Sequence, residues 1–320
     1  EVLMREIVCF GELLIDFLCT SRSNDGQLQT NQFTQFPGGA PANVAVAVAK
    51  LGGKASFLGQ IGNDHFGHFL LDALETYGVN THMTSTHPSA NTALAFIFLD
   101  DKGERRFSFR RERTADLLME KSQISEHWFS EQPILHFCSN TLTEQKIADL
   151  TVHILKLANK KKSLISFDVN LRHQLWKDGA VDIDLVNSLV HKSHLVKCSR
   201  DELLFLARND ENAYLLQCMS AGVKALLITD GPKAISIHCH EGTAVIKPPV
   251  VKAIDTTGAG DAFMGAILFS LSQKSDPINH CKNLHKLRSL VDFAARCGAI
   301  AVTRPGAMPA FPAQQDLVNR

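Results

Sequence analysis

Asp255-Thr256-Thr257-Gly258-Ala259-Gly260-Asp261-Ala262-Phe263-Met264-Gly265 is a glycine turn that runs directly into an apolar helix. Glycines at 258 and 260 let the backbone approach a ligand closely. The free amides at a helix start, together with the helix dipole, make an anion site. A carboxylate in that place would repel a bound phosphate. The conflict disappears if Asp261 faces an attacking hydroxyl while the amides of Ala259, Gly260 and Asp261 face a phosphoryl group in transfer. Those are the two requirements of phosphoryl transfer: a positioned nucleophile with a proton acceptor, and compensation for charge on the equatorial oxygens. Taken alone, the same residues read more readily as a glycine turn whose aspartate caps a helix, since a turn that leads into a helix is common.

A second glycine turn entering a helix lies far upstream, Pro37-Gly38-Gly39-Ala40-Pro41-Ala42-Asn43, with an amide side chain in its first turn. Before it, Gly11-Glu12-Leu13-Leu14-Ile15-Asp16 puts a carboxylate just beyond an apolar run, Arg5–Phe10, that reads as a buried first strand. Carboxylate and amide groups are suited to holding several hydroxyls directionally. Singly, Asp16 reads as a turn residue and Asn43 as a cap.

Further strands are expected at Leu164–Asp168, His194–Cys198, Ala225–Thr229 and Ala234–Cys239. Amphipathic helices are expected at Thr143–Lys161, Val181–Lys192, Asp201–Arg208 and Glu211–Ala221, with two long helices, about Gly260–Ser272 and Asn279–Ala301, closing the chain. This alternation predicts an α/β fold with a mostly parallel sheet covered on both faces. Two segments, about 13–36 and 91–111, alternate apolar and polar residues and predict a small antiparallel sheet with one wet face, a lid beside the main sheet. Ala42–Ala49 carries valines at 44, 46 and 48 and mimics a strand. Its alanines, Pro41 at the entry and Gly52 beyond the end predict a helix.

Composition excludes several classes. The 320 residues are 45% hydrophobic and 21% charged, too apolar for a disordered chain. Thirty-three basic residues balance thirty-three acidic ones, so no net field draws the protein to nucleic acid or to an anionic membrane. Eight cysteines without a CxxC pair read as buried hydrophobes in a reducing compartment. No run of about 18 apolar residues and no cleavable leader pattern is seen, so the expected location is the cytoplasm. Gly52-Gly53-Lys54-Ala55 lacks the spacing and hydroxyl of a P-loop, and Gly11-Glu12-Leu13 is not a dinucleotide fingerprint. His65/His68, His191/His194 and His238/His240 lack the supporting ligands of a zinc site.

The two glycine turns, about two hundred residues apart and in this order, resemble the N- and C-terminal signatures of the PfkB (ribokinase-like) carbohydrate kinases. The likeness runs from Arg5 to about Phe311, and implies one ribokinase-like α/β kinase domain over residues 5–312. It implies Asp261 as catalytic base, with Gly258, Ala259 and Gly260 forming an anion hole. Asp16, Gly38, Gly39, Asn43, Arg111 and Arg172 match sugar-binding positions. Lys197, Ser199, Glu202, Thr229, Gly231, Gly260 and Cys297 match nucleotide-binding positions. Ser199 replaces the asparagine of the family's Asn-x-x-Glu element, which organises magnesium through water, while Glu202 is retained; without the resemblance Glu202 reads as a first-turn residue stabilising a helix dipole. Asp255, Thr257, Ala301 and Gly306 match positions that hold a monovalent cation such as K+. The implied ligands are ATP, Mg2+ and a small sugar, with a homodimer formed through the lid.

Arg111 with Ala115-Asp116-Leu117-Leu118, and Asp168-Val-Asn-Leu-Arg-His-Gln-Leu-Trp176, resemble fructokinase stretches. The second run also occurs in 2-keto-3-deoxygluconate kinases. An arginine can bind sugar hydroxyls or grip a carboxylate, so residue type leaves both open. The Ala115–Leu118 context favours fructose over the sugar acid, ribose or a nucleoside. The non-enzyme alternative is a sugar-binding regulatory protein on the same fold; an intact Asp261 between its glycines argues against it.

Overall fold

In the computed structural model, residues 4–24, 26–99 and 105–318 are described. Residue 25 and residues 100–104, within the two expected lid segments, lie outside the described residues. The strands are β1 (Ile7–Phe10), β2 (Leu14–Asn24), β3 (Gln29–Gly38), β4 (Ala55–Gly62), β5 (Thr84–His87), β6 (Leu94–Leu99), β7 (Arg105–Arg110), β8 (Ile134–Cys138), β9 (Ile165–Asp168), β10 (Leu195–Ser199), β11 (Ala225–Thr229), β12 (Ile235–Cys239) and β13 (Gly242–Ile246). The helices are α1 (Ala40–Lys50), α2 (His65–Thr76), α3 (Gln145–Lys160), α4 (Ile183–Val190), α5 (Arg200–Leu206), α6 (Glu211–Ala221), α7 (Ala259–Ser272), α8 (Pro277–His280), α9 (Leu284–Ala301) and α10 (Gln314–Val318).

A nine-stranded sheet runs in the order β13-β12-β11-β10-β9-β8-β1-β4-β5. From β11 to β5 each neighbouring pair is parallel, and β12 and β13 add an antiparallel edge. The central strands are apolar on both sides because helices cover both faces; all four residues of β1 are buried. One face packs Ile7, Phe57, Val44, Ile267 and Val291 against α1, α2, α7 and α9. The other packs Val8, Leu135, Ile154, Leu189 and Leu203 against α3 to α6, with the Phe137 and Phe167 rings stacked at 4.4 Å.

Ala42–Ala49 is helical, inside α1, with Pro41 in the first turn, where the missing amide hydrogen costs no hydrogen bond. The helix expected over Asn279–Ala301 is instead two. Asp276 caps the short α8, the chain turns, and the Asn283 side chain accepts from the Lys286 amide at 2.9 Å to start α9. Asn283 is a strong N-cap residue, and that outweighs the apolar periodicity running across it.

The lid is a four-stranded sheet in the order β3-β2-β6-β7. Its β2–β3 and β6–β7 pairs are antiparallel, as expected of the lid, while β2 and β6 pair in parallel at its centre. The reason is connectivity: α1, β4, α2 and β5 intervene between β3 and β6 and carry the chain back to the same end of the lid.

Helices α1 and α7 lie side by side. Gly265 faces α1 with no side chain between them, and a Cβ placed there would stand 2.5 Å from the Ala47 Cβ.

Candidate active site

The cleft of interest, about 520 Å³, opens at the carboxyl ends of the parallel strands under the lid. From β1 the chain proceeds to β4 on one side, whereas β8 lies on the other, so strand order switches direction there. Such switch points are where open α/β sheets bind ligands. Strand ends deliver Glu12, Asn140, Asp168, Lys197, Ser199 and Thr229 to the cleft, and the lid contributes Asp16, Ile97, Phe107 and Phe109.

The two glycine turns meet across this cleft. Gly39 has φ 107°, and a Cβ on it would strike the Glu12 carbonyl oxygen; one on Gly38 would strike the Asp16 carboxylate. The turn therefore brings backbone against the residues just after β1. The Glu12 carboxylate accepts from the Ala40 amide at 3.0 Å and from the Asn140 amide group at 2.9 Å. At the other turn Gly258 has φ 73°, and a Cβ would meet the Phe311 ring at 2.7 Å. No side chain caps the start of α7 from its N-cap position. Asn43 Nδ2 donates to Asp261 Oδ2 at 2.8 Å, so the two turns are joined by their first-turn side chains. Burial pushes the Asp261 carboxyl up to about 7; the Asn43 hydrogen bond pulls it down and the Asp168 charge pushes it further up.

Lys197 Nζ lies 3.1 Å from both oxygens of Asp168, and both side chains are almost wholly buried. Burial disfavours the ammonium, but the Asp168 charge and hydrogen bond together with the charges of Glu202 and Asp261 outweigh it, and the lysine pKa is raised. A Cβ on Gly260 would stand 3.0 Å from Lys197 Nζ, so the cation borders the anion hole.

Of the expected sugar-binding residues, Asp16, Gly39, Asn43 and Arg172 line the cleft, and Gly38 backs Asp16. Arg111 does not. Its Nε donates to Asp116 at 2.6 Å and its Nη1 to the Asn140 carbonyl at 2.9 Å, in an ion pair sealed from solvent. The neighbouring Asp116 is the counter-charge that draws it inward.

Of the nucleotide residues, Lys197, Ser199, Glu202, Thr229 and Gly260 line the cleft. Gly231 does not; it is exposed in the turn after β11, with φ 53°. Cys297 does not line it either: it is fully buried on the inner face of α9, in the core beside the sheet. Ser199 and Glu202 form a capping box on α5, and Glu202 Oε1 also accepts from the Leu171 amide at 2.7 Å. The expected cation residues do converge in part. The Asp255 carboxylate accepts from the Thr257 amide at 2.8 Å and, through its other oxygen, from the Gly306 amide at 2.8 Å. Ala301 is buried at the end of α9, next to Val302, whose carbonyl accepts from the Asp255 amide at 3.2 Å.

Glu12, Asn140 and Asp168 were not singled out from sequence. Asp168 ends an expected strand, and the carboxyl end of a parallel strand is the one signal that marks it. Among the described residues no cluster of three or more His, Cys, Asp or Glu could hold a metal ion by itself.

The chain matches the pfkB family carbohydrate kinase model over residues 4–314. It is 37% identical to a probable fructokinase-5 of Arabidopsis thaliana over 97% of this chain and 95% of that one. A fructokinase from Xylella fastidiosa, solved with bound ATP, superposes with a TM-score of 0.92 at 37% identity, covering 99% of this chain and 98% of that one. A double-mutant fructokinase from Vibrio cholerae, in a form with fructose, ADP and potassium ion bound, gives a TM-score of 0.88 at 32% identity, covering 99% and 98%.

Proposed function

The chain belongs to the pfkB family of carbohydrate kinases, and we propose that within it the protein is an ATP-dependent fructokinase. The fold is ribokinase-like. One observation carries the reading: Asp261, at the uncapped start of α7, is held at 2.8 Å by Asn43 in the cleft shared by both glycine turns.

In this reading fructose lies between the main sheet and the lid, against Asp16, the Gly38–Gly39 turn, Asn43 and Arg172. ATP lies along the ends of β10 and β11, near Ser199, Glu202, Thr229 and Gly231. Asn43 fixes one oxygen of Asp261 and leaves Oδ1 to take the proton of the attacking hydroxyl. The amides from Gly258 to Asp261 face the oxygens of the phosphoryl group, whose developing charge they offset. The apolar lid residues Ile97, Phe107 and Phe109 exclude water, which limits wasteful hydrolysis.

A magnesium ion, with Glu202 acting through water, would neutralise phosphate charge. Both Glu202 oxygens already accept backbone amides, which fits an indirect role better than direct ligation. For a monovalent ion, Asp255, Thr257, Ala301 and Gly306 would supply mainly carbonyl oxygens, and the Asp255 carboxylate ties 257 to 306. The commitment of Arg111 to Asp116 supports a neutral sugar over a sugar acid, because it withdraws a cation that would grip a substrate carboxylate. Buried, unpaired cysteines support a cytoplasmic location. The Phe33, Phe96 and Phe98 cluster on the lid supports pairing of two copies there, which sedimentation analysis tests by finding a dimer.

A coupled ADP-release assay over fructose, ribose, nucleosides and 2-keto-3-deoxygluconate decides the substrate. The highest kcat/KM is expected with fructose. Preference for the sugar acid would reassign the substrate, and no ADP release with any acceptor would overturn the kinase reading.

A further inference from the structure

Lys197 presents its ammonium to the N-terminal end of α7, where the helix dipole is itself positive. A buried cation at that end is electrostatically unfavourable unless something negative faces it. Three groups do: Asp168, with both oxygens 3.1 Å away, and Glu202 and Asp261, whose charges also favour the ammonium form. Were Lys197 to pair with Asp261, the base would be masked by a cation and the anion hole would lose one. Asp168 prevents this by geometry. It ends β9, next to β10, in register with Lys197 itself, so the shortest path for the ammonium is across the sheet to Asp168.

We propose that Asp168 is a positioning residue for phosphoryl transfer: it holds the Lys197 ammonium at the mouth of the anion hole, facing the terminal phosphate of the nucleotide and withheld from Asp261. This rests on the kinase reading above and adds to it the group that steers the cation. The same arrangement acts on the base, because the Asp168 charge raises the proton affinity of Asp261 and the Lys197 charge lowers it. The other charged group facing Asp261 is Arg172, from the segment after β9. Glu202 of α5 faces the Asp168–Lys197 pair, and His136 of β8, near Lys197, is kept neutral by burial, with a pKa pushed down to about 3.

The test compares Asp168→Asn, Lys197→Met and the double variant. Lys197→Met is expected to lower kcat by about 10²–10³-fold, as loss of an oxyanion-stabilising group does. Asp168→Asn is expected to lower it by about 10²-fold through misplacement of the cation, with the fructose KM little changed. In Asp168→Asn the acid limb of the kcat/KM profile moves to lower pH, since a charge that held the proton on Asp261 is gone; an aspartate whose charge does not reach Asp261 would leave that limb in place. The double variant should be no slower than Lys197→Met, because Asp168 acts through the lysine. Wild-type kcat in Asp168→Asn, or losses that multiply in the double variant, would overturn the proposal.

Asp168→Asn leaves a buried ammonium without its counter-charge and risks misfolding, whereas the double variant removes both charges. A second arm is therefore calorimetric: the affinity of AMP-PNP relative to ADP should drop about ten-fold or more in Lys197→Met. An unchanged ratio sinks the proposal even if no sugar is ever phosphorylated, so its failure is distinguishable from failure of the fructokinase assignment.

Discussion

Helices α1 and α7 start in the same way and are finished differently. Each follows a glycine turn, each places one polar side chain in its first turn, and those two side chains touch. The start of α1 is already satisfied, since the Glu12 carboxylate takes the Ala40 amide. Its glycines are required because Asp16 and the Glu12 backbone press against them. The start of α7 has no such carboxylate, and beyond Gly260 lies the ammonium of Lys197. A helix start completed by the protein is scaffolding, and one left open, bordered by a cation, is a place for a ligand's charge.

The largest expected effect breaks this contrast at Asp261. Asp261→Asn keeps the shape and removes the base, so steady-state kcat should fall by about 10²–10⁴-fold while calorimetric affinity for fructose holds. A variant that keeps most of its turnover removes Asp261 from the role. Gly260→Ala adds a methyl group against Lys197 Nζ alone; kcat should drop by up to about 100-fold from displacement of the cation, with folding stability changed by no more than about 0.5 kcal/mol. Gly39→Ala is the mirror experiment. Its φ of 107° and the Glu12 carbonyl make the methyl group intolerable, so denaturant unfolding should report a loss of about 1–3 kcal/mol or more. If Gly260→Ala unfolds the protein and Gly39→Ala only slows it, the distinction between scaffold and ligand site fails.

The smallest effect concerns pH. Asp261 must be ionised to accept a proton, and its pKa lies at about 7. Activity should therefore fall as pH drops through about 7 and be full above it. Since the Asn43 hydrogen bond lowers that pKa, Asn43→Ala should move the acid limb upward in a kcat/KM titration.

Sequence carried what is local. Glycine turns, the helix that follows each, and the carboxylate within the second are written in consecutive residues, as are the strands whose apolar runs fall between two helical layers. It failed where a pairing across the fold decides the outcome. Arg111 has the residue type of a substrate ligand, but Asp116, five positions on, turns it into the core. Cys297 matches a nucleotide-binding position of the family, and only the rotation of α9 shows that it faces inward. Asp168 and Lys197 are 29 residues apart and meet because β9 and β10 are neighbours in parallel register. The split between α8 and α9 was visible in Asn283, a capping residue that periodicity overran.

One missing side chain sets the gap between base and amide. Gly265 lies more than a turn along α7 from Asp261, and opposite it Ala47 lies more than a turn along α1 from Asn43; their contact fixes how closely the two helix axes approach. The reach of Asn43 to Asp261 is therefore calibrated by packing in the interior, well away from any reactant. A lone methyl introduced at 265, carrying no charge and touching neither sugar nor nucleotide, would act as a spacer between the helices and express itself as a chemical defect.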